Sequence, residues 1–208
     1  MGEIYAARCH WQRREHYFAP GNWFVNKALS GGGPLLDLGV HMIDLAIWLM
    51  GNPRPVSVSG STFCKFAGSD VSDSVHSAFG EAVKNGVFDV EDLAMGFIKF
   101  DNGACLQIEF SWASNIESEQ NFVELRGTKA GISWKNGEMK LFTEEDNMLM
   151  NHTSAMPVSG GHADNIRHFI NVLKNKETPI FVPQQGVDMI KILDAIYQSA
   201  ASGREIRL

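Results

Sequence analysis

Alternating apolar and polar residues predict a series of strands in the middle of the chain. Residues 56–66 alternate apolar with small polar side chains, which is typical of a strand with one buried face. Residues 91–100 and 104–114 form two strand-like runs separated by a turn that contains Asn102 and Gly103, and Asn-Gly between such runs is a strong hairpin signal. The remaining strand-like runs lie at residues 3–12, 122–127, 131–134, 139–142 and 205–208. Asn136-Gly137, between two of these runs, predicts a second hairpin turn.

A helical repeat of apolar residues predicts three helices, over residues 34–50, 162–174 and 183–202. The first is preceded by Gly31, Gly32 and Gly33 and is stopped by Gly51-Asn52-Pro53. In the second, Ile166, Phe169, Ile170 and Leu173 share one face.

Four segments lack a clear period and are predicted to be loops or linkers. They are residues 13–30, 67–90 (with a short helical turn), 143–161 and 178–182. None is biased enough in composition to divide the chain. Strands framed by helices therefore predict one α+β domain over residues 1–208, built on a largely antiparallel open sheet with helices packed on one face.

Composition narrows the functional classes. The 208 residues carry a formal net charge of -6, and a mildly acidic chain without a basic block is not expected to bind nucleic acid. Cys9, Cys64 and Cys105 form no CxxC pair, which argues against a disulfide framework or a zinc site. The N-terminus has no basic and apolar leader, so a cytoplasmic location is expected.

The apolar run over residues 35–50 is predicted to be a buried helix that carries a polar stripe. It is too short and too polar for a membrane span, because it holds Asp37, His41 and Asp44. At about 100° per residue, these three side chains lie within roughly 60° of one another. Trp48 continues the same face.

An unpartnered buried charge costs several kcal/mol, so the stripe must meet something polar. Three interpretations remain open: the side chains satisfy one another, they bind a metal, or they line a cavity that holds a substrate. A carboxylate one turn before an imidazole is a workable acid/base pair, because it can orient the ring and raise its pKa. No further ligand cluster lies nearby in sequence, so no metal is predicted.

The triple glycine before this helix could be an anion site. However, Gly31 to Gly33 lack the GxGxxG spacing, the Walker lysine and a preceding apolar strand. We therefore predict a structural role, in which glycine allows close packing at the entry of the helix.

The run WFxxKxxSGGGPLLDLGVHMIDLAIWLMGNP, from Trp23 to Pro53, resembles the signature of the Gfo/Idh/MocA family of NAD(P)-dependent oxidoreductases. The ending SAASGREIRL also resembles that family, and the similarity extends along the whole chain. The resemblance implies a C-terminal domain of the type found in glyceraldehyde-3-phosphate dehydrogenase. It also implies a dinucleotide-binding Rossmann domain of roughly 120 residues that this sequence lacks, since it has neither GxGxxG nor Glu-Lys-Pro.

The resemblance further assigns roles to individual residues. It implies that His41 is the catalytic acid/base, that Asp37 contacts substrate and sets the histidine, and that Asp44 is structural. Trp23, Asn26 and Lys27 are expected substrate contacts on the loop that enters the site. Arg13 and Arg14 could meet an acidic substrate but are expected to be solvated.

These roles predict the substrate-binding half of a dehydrogenase that transfers hydride between a sugar, inositol or related polyol and NAD or NADP. The cofactor would bind the missing domain, so the isolated chain is expected to be inactive and to bind no cofactor. Two other functions remain open: a non-enzymatic dimerising module, and a metal-dependent hydrolase that uses Asp37, His41 and Asp44.

Apolar strand residues also predict a homo-oligomer that associates through the sheet. Phe97, Ile98, Leu106, Ile108 and Phe110 are expected to cover both faces of the sheet. Helices would cover one face, and a second subunit would cover the other.

Overall fold

The computed structural model describes residues 1–14, 18, 20–66, 83, 86–154 and 160–208. Nine strands lie within this part of the chain. They are β1 (Ile4–Gln12), β2 (Pro55–Phe63), β3 (Leu93–Phe100), β4 (Cys105–Ser111), β5 (Gln120–Gly127), β6 (Gly131–Lys135), β7 (Glu138–Glu145), β8 (Met148–Thr153) and β9 (Ile206–Arg207). The helices are α1 (Lys27–Ser30), α2 (Val40–Leu49), α3 (His162–Leu173) and α4 (Pro183–Ser202), with a 3-10 turn at Trp23–Val25 and a π-helical turn at Leu35–Gly39.

The strands form one open sheet in the order β8-β7-β6-β5-β1-β4-β3-β2-β9. Only the β1–β4 pair among these neighbours is parallel, and every other described pair is antiparallel. The prediction of a largely antiparallel open sheet is therefore confirmed.

Hairpin turns set much of this topology. Gly103 (φ 83°) closes the β3–β4 turn, and Asn136 (φ 49°) and Gly137 (φ 87°) close the β6–β7 turn, as the sequence predicted.

The prediction of an irregular segment at residues 143–161 is wrong up to Thr153. There the β7–β8 hairpin turns at Asp146 and Asn147, with φ values of 50° and 60°. Asp and Asn tolerate this left-handed conformation better than other non-glycine residues do.

Other predicted loops also contain structure. Residues 13–30 were expected to be irregular, but α1 and the 3-10 turn lie there because Asn22 and Asn26 cap them with their side chains. Residues 178–182 form a linker, as expected. Most of the predicted loop at residues 67–90 lies outside the described residues.

The hydrophobic core lies between one face of the sheet and the helices. The π-helical turn and α2 pack on β1, β4 and β5, and α4 packs on β2. The predicted apolar strand residues divide unequally between the two faces: Ile98, Leu106, Ile108 and Phe110 are fully buried on the helix side, and Phe97 is exposed on the other face. Association of two subunits through that open face stays a prediction. On the open face of β3 and β4, Phe97 lies beside Gln107 and other polar residues.

Within the described residues, the stretch Lys27–Leu49 is long and apolar enough to cross a membrane by length and composition. Half of its most apolar part is buried inside the domain. The core helix of a globular domain meets the same criteria, so the stretch is weak evidence for a membrane span.

Candidate active site

The site is built on the N-terminal end of the central helix, which a buried carboxylate holds in place. Glu91 Oε1 accepts a hydrogen bond from the Leu35 N–H (3.2 Å) and another from the Tyr197 hydroxyl (2.9 Å). Burial raises the pKa of Glu91, and hydrogen bonds from Gly33, Tyr197 and Leu35 oppose that rise. The Leu35 N–H, one of the donors that a helix start leaves free, thus has a side-chain partner.

Close packing explains two of the three glycines at this helix start. A Cβ on Gly32 would lie 2.0 Å from the Tyr197 hydroxyl, and a Cβ on Gly33 would lie 2.0 Å from the Glu91 carbonyl oxygen. Gly31 has a φ of 85°, which favours glycine, and ends α1. Because Glu91 accepts the Leu35 N–H and Gly32 and Gly33 are buried, a dinucleotide phosphate does not fit here.

The polar stripe faces outward, so the expectation that it is buried is wrong. Leu35, Leu38, Met42, Ile43 and Ala46 bury the opposite side of the helix. His41, Asp44 and Trp48 are exposed, and Asp37 is half-buried. The apolar residues on the two flanks of the stripe are only partly buried.

A π-helical turn changes the relation between Asp37 and His41. Asp37 lies in the turn at Leu35–Gly39, and His41 lies in the α-helix that follows. Such turns are rare and are frequent at functional sites. No hydrogen bond joins Asp37 to His41 within the described part of the chain; Asp37 is instead held from the sheet.

Trp112, which follows β4, is the residue that positions Asp37. Its indole Nε1–H donates to Asp37 Oδ2 at 2.9 Å, and the ring is fully buried. Phe18 packs on this ring at a centroid distance of 4.5 Å, and Phe24 at 5.9 Å. Sequence reasoning missed Trp112, although a buried indole needs an acceptor for its N–H.

Asp37 and His41 open into a cavity of about 420 Å³ between the helix and the end of β1. This volume is within the range of small-molecule sites. The described residues that line it are Trp11, Arg13, Phe18, Asn22, Trp23, Phe24, Asp37, Leu38 and His41. Of the three interpretations of the stripe, the structure favours the one in which it lines a cavity.

The cavity contains a cation that the sequence did not place there. Arg13 was expected to be solvated, but its side chain is only 14% exposed. Its Nε lies 3.9 Å from Glu119 Oε1, and its guanidinium lies 5.4 Å from the centroid of the Trp11 ring. Arg14 is exposed and donates to the backbone carbonyl of Glu117.

The three predicted substrate contacts lie in different places. Trp23 lines the cavity and is exposed. Asn26 is used instead to cap α1, since its side chain accepts from the Ala28 N–H at 3.0 Å. Lys27 is exposed, and neither Asn26 nor Lys27 is among the described residues that line the cavity.

A second cavity of about 210 Å³ adjoins His41 on its other side. Asp44, Leu45, Trp48, Ile180, Phe181 and Gln185 complete its lining. Partial burial raises the pKa of Asp44, and the nearby His41 opposes that rise. Asp44 makes no hydrogen bond to the described residues, so its structural role stays a prediction.

The metal interpretation has no support in the described part of the chain. No three His, Cys, Asp or Glu side chains come together there in a way that could hold a metal ion. The hydrolase alternative therefore has no observation in its favour.

Comparisons with known proteins identify the family. The model of the oxidoreductase family C-terminal alpha/beta domain, GFO_IDH_MocA_C, matches residues 1–208. D-glucoside 3-dehydrogenase of Escherichia coli (strain K12) is 33% identical over 212 residues, which cover 100% of this chain and 58% of that protein. Levoglucosan dehydrogenase of Pseudarthrobacter phenanthrenivorans is 32% identical over 121 residues, covering 55% of this chain and 30% of that protein.

Solved structures agree on the fold. Levoglucosan dehydrogenase in complex with NADH and levoglucosan has a TM-score of 0.78 and 20% identity, covering 99% of this chain and 58% of its own. GenD2 from gentamicin A biosynthesis, in complex with NAD, has a TM-score of 0.69 and 25% identity, covering 100% of this chain and 56% of its own. The chain thus spans somewhat more than half the length of these relatives. It belongs to the Gfo/Idh/MocA oxidoreductase family, whose C-terminal α/β domain it matches from end to end.

Proposed function

We propose that this chain is the substrate-binding half of an NAD(P)-dependent dehydrogenase that oxidises a hydroxyl group of a sugar or related polyol. One observation carries the proposal: Asp37 and His41 open together into a cavity that is lined with aromatic rings. Relatives that act on glucosides and levoglucosan support the class of substrate.

The cavity has the chemistry that a sugar requires. The rings of Trp11 and Trp23 offer flat apolar faces to the C–H side of a pyranose, and the Trp11 indole N–H is already bound to Glu119 at 3.0 Å. Asp37 and Asn22 offer polar atoms to the hydroxyl groups. Arg13 adds a donor for a hydroxyl or for an anionic substituent.

His41 is proposed to manage the proton. As the C–H bond breaks and its electron pair leaves with the hydrogen, a carbonyl forms and the hydroxyl proton passes to an imidazole nitrogen of His41. Asp37, fixed by Trp112, binds a hydroxyl of the same sugar and so orients the reacting carbon. The glycine-flanked helix start holds Glu91 rather than an open anion site, and we propose that the hydride acceptor is held by another domain.

The isolated chain is accordingly proposed to bind sugar without turning it over. Levoglucosan and D-glucosides are the first candidates, added to the labelled chain in an NMR titration. The indole N–H signals of Trp112 and Trp23 should shift when sugar binds. Asp37→Asn should weaken binding by about tenfold, which corresponds to the loss of about one hydrogen bond. Asp44→Asn is the matched control, since Asp44 lies outside the larger cavity. No shift with any sugar, or equal effects of both variants, would count against this site.

A further inference from the structure

One wall of the larger cavity comes from the end of β1, and Glu119 supports that wall from the neighbouring strand. Trp11 lies near the end of β1 and Arg13 follows that strand, and both residues line the cavity. Gln12 is paired with Gln120 in the antiparallel ladder of β1 and β5. Continuing this register by one place sets Arg13 opposite Glu119 and sets Trp11 on the diagonal. Side chains in such cross-strand positions reach one another.

The Glu119 carboxylate contacts both of these cavity residues. Its Oε1 accepts a hydrogen bond from the Trp11 indole Nε1–H at 3.0 Å and lies 3.9 Å from Arg13 Nε. The Arg13 guanidinium in turn lies 5.4 Å from the centroid of the Trp11 ring. The Glu119 side chain is 53% exposed and is not among the described residues that line the cavity. Glu119 therefore acts on the cavity through Trp11 and Arg13.

The charges around the cavity are unevenly matched. Arg13 is the one permanent positive charge among the described residues that line it, and its side chain is only 14% exposed, so water screens this charge less than that of a surface arginine. Glu119 places an opposite charge beside Arg13. Asp37 adds a second carboxylate to the lining, and its donor is the neutral indole of Trp112. An anionic group that entered the cavity would thus meet one guanidinium that already has a counter-ion, and two carboxylates.

Resting on the proposed function, we propose that Glu119 is a specificity-determining residue that makes the cavity prefer an uncharged sugar to an anionic one. Its oxygen fixes the Trp11 ring as a flat surface for the sugar. Its charge balances Arg13 and repels a carboxylate or phosphate, which is discrimination by an unfavourable interaction with the wrong ligand. Arg13 then serves as a donor to a neutral hydroxyl group rather than as the partner of an anion.

The test compares two sugars that differ in one charge, methyl β-D-glucoside and methyl β-D-glucuronide, by NMR titration of the isolated chain. The wild type should bind the glucoside more tightly. Glu119→Gln keeps an acceptor for the Trp11 indole but loses the negative charge. Its affinity for the glucuronide should therefore rise about fivefold at an ionic strength of about 10 mM, and the gain should shrink at about 150 mM, where salt screens the charges.

Three further variants isolate the cause. Glu119→Ala removes the acceptor as well as the charge, so it should move the Trp11 indole N–H signal and weaken glucoside binding by about two- to tenfold, far more than Glu119→Gln does. Adding Arg13→Gln to Glu119→Gln should abolish the gain in glucuronide affinity. Glu117→Gln is the matched control: it removes an exposed charge from the same loop, outside the described lining of the cavity, and should change neither affinity.

The outcomes separate this proposal from the proposed function. A wild type that prefers the glucuronide, a gain that survives without Arg13, or equal effects of Glu119→Gln and Glu117→Gln would overturn the role of Glu119. Each of these results would leave the proposed function standing, because the chain would still bind a sugar. Binding of neither sugar to the wild type would count against the proposed function, and the role of Glu119 would fall with it.

Discussion

Replacing Glu91 with Gln is expected to change how the stability of the domain depends on pH. Glu91 is 7% exposed, and burial raises its pKa above that of the same side chain in the unfolded chain. Its contribution to the free energy of unfolding is therefore fully present below the unfolded pKa of about 4.3 and is lost as pH rises through the higher folded pKa. Between the two pKa values the folded state binds up to one proton more than the unfolded state. The free energy of unfolding therefore changes with pH by up to about -1.4 kcal/mol per pH unit.

The assay is urea unfolding of the wild type and of Glu91→Gln, followed by tryptophan fluorescence in steps from pH 4 to pH 7. Gln keeps an acceptor for the Leu35 N–H but cannot ionise. The free energy of unfolding of the wild type minus that of the variant should fall as pH rises through this window.

Glu124→Gln is the matched control, for which the dependence of stability on pH should have the opposite sign. A hydrogen bond from Arg8 holds the pKa of Glu124 below its usual range. The stability contributed by Glu124 is thus present above its unfolded pKa of about 4.3 and is lost as pH falls through the lower folded pKa, so this control is followed down to about pH 3. The quantity to follow is the free energy of unfolding of the wild type minus that of Glu91→Gln. If this difference is constant or rises with pH, burial does not control the charge of Glu91, and our account of the helix start is wrong.

Three further results are expected. Trp112→Phe should lower the free energy of unfolding by about 1–3 kcal/mol in the same assay, because Asp37 loses its donor; no loss would mean that the indole does not hold it. Gly32→Ala should cost about 1–3 kcal/mol by overpacking, whereas Gly131→Ala, whose Cβ would meet nothing closer than 3.2 Å, should cost less; equal costs would contradict the contact with Tyr197. The pKa of the His10 ring, measured by NMR, should be about 4, because burial, Arg8 and Lys135 disfavour the charged ring; a pKa above 6 would contradict that environment.

Local sequence signals predicted most of the fold. Asn-Gly turns placed two hairpins, and the apolar period placed α4 at its observed bounds. The third hairpin was missed because its turn, Asp146-Asn147, reaches the left-handed conformation without glycine. Strand alternation placed Phe97 and Ile98 on opposite faces of the sheet, but it does not show which face the helices cover.

The site was predicted only in part, for a related reason. The spacing of Asp37 and His41 is local and visible in sequence. The partners that shape the site are distant: Trp112 is 75 residues from Asp37, and Glu91 is 56 residues from Leu35. Spacing rules also assume a regular α-helix, and the π-helical turn at Leu35–Gly39 breaks that assumption.

The most direct test of the central claim uses a fusion in which this chain replaces the matching part of the E. coli D-glucoside 3-dehydrogenase. The initial rate of NADH formation with D-glucosides and levoglucosan is measured for this parent fusion and for its His41→Ala variant. If His41 takes the proton of the sugar hydroxyl, the variant should lose about 10²–10⁴-fold in kcat. Asp44→Asn in the same fusion should lose far less. A His41→Ala rate close to that of the parent would contradict the claim that this imidazole performs the proton transfer.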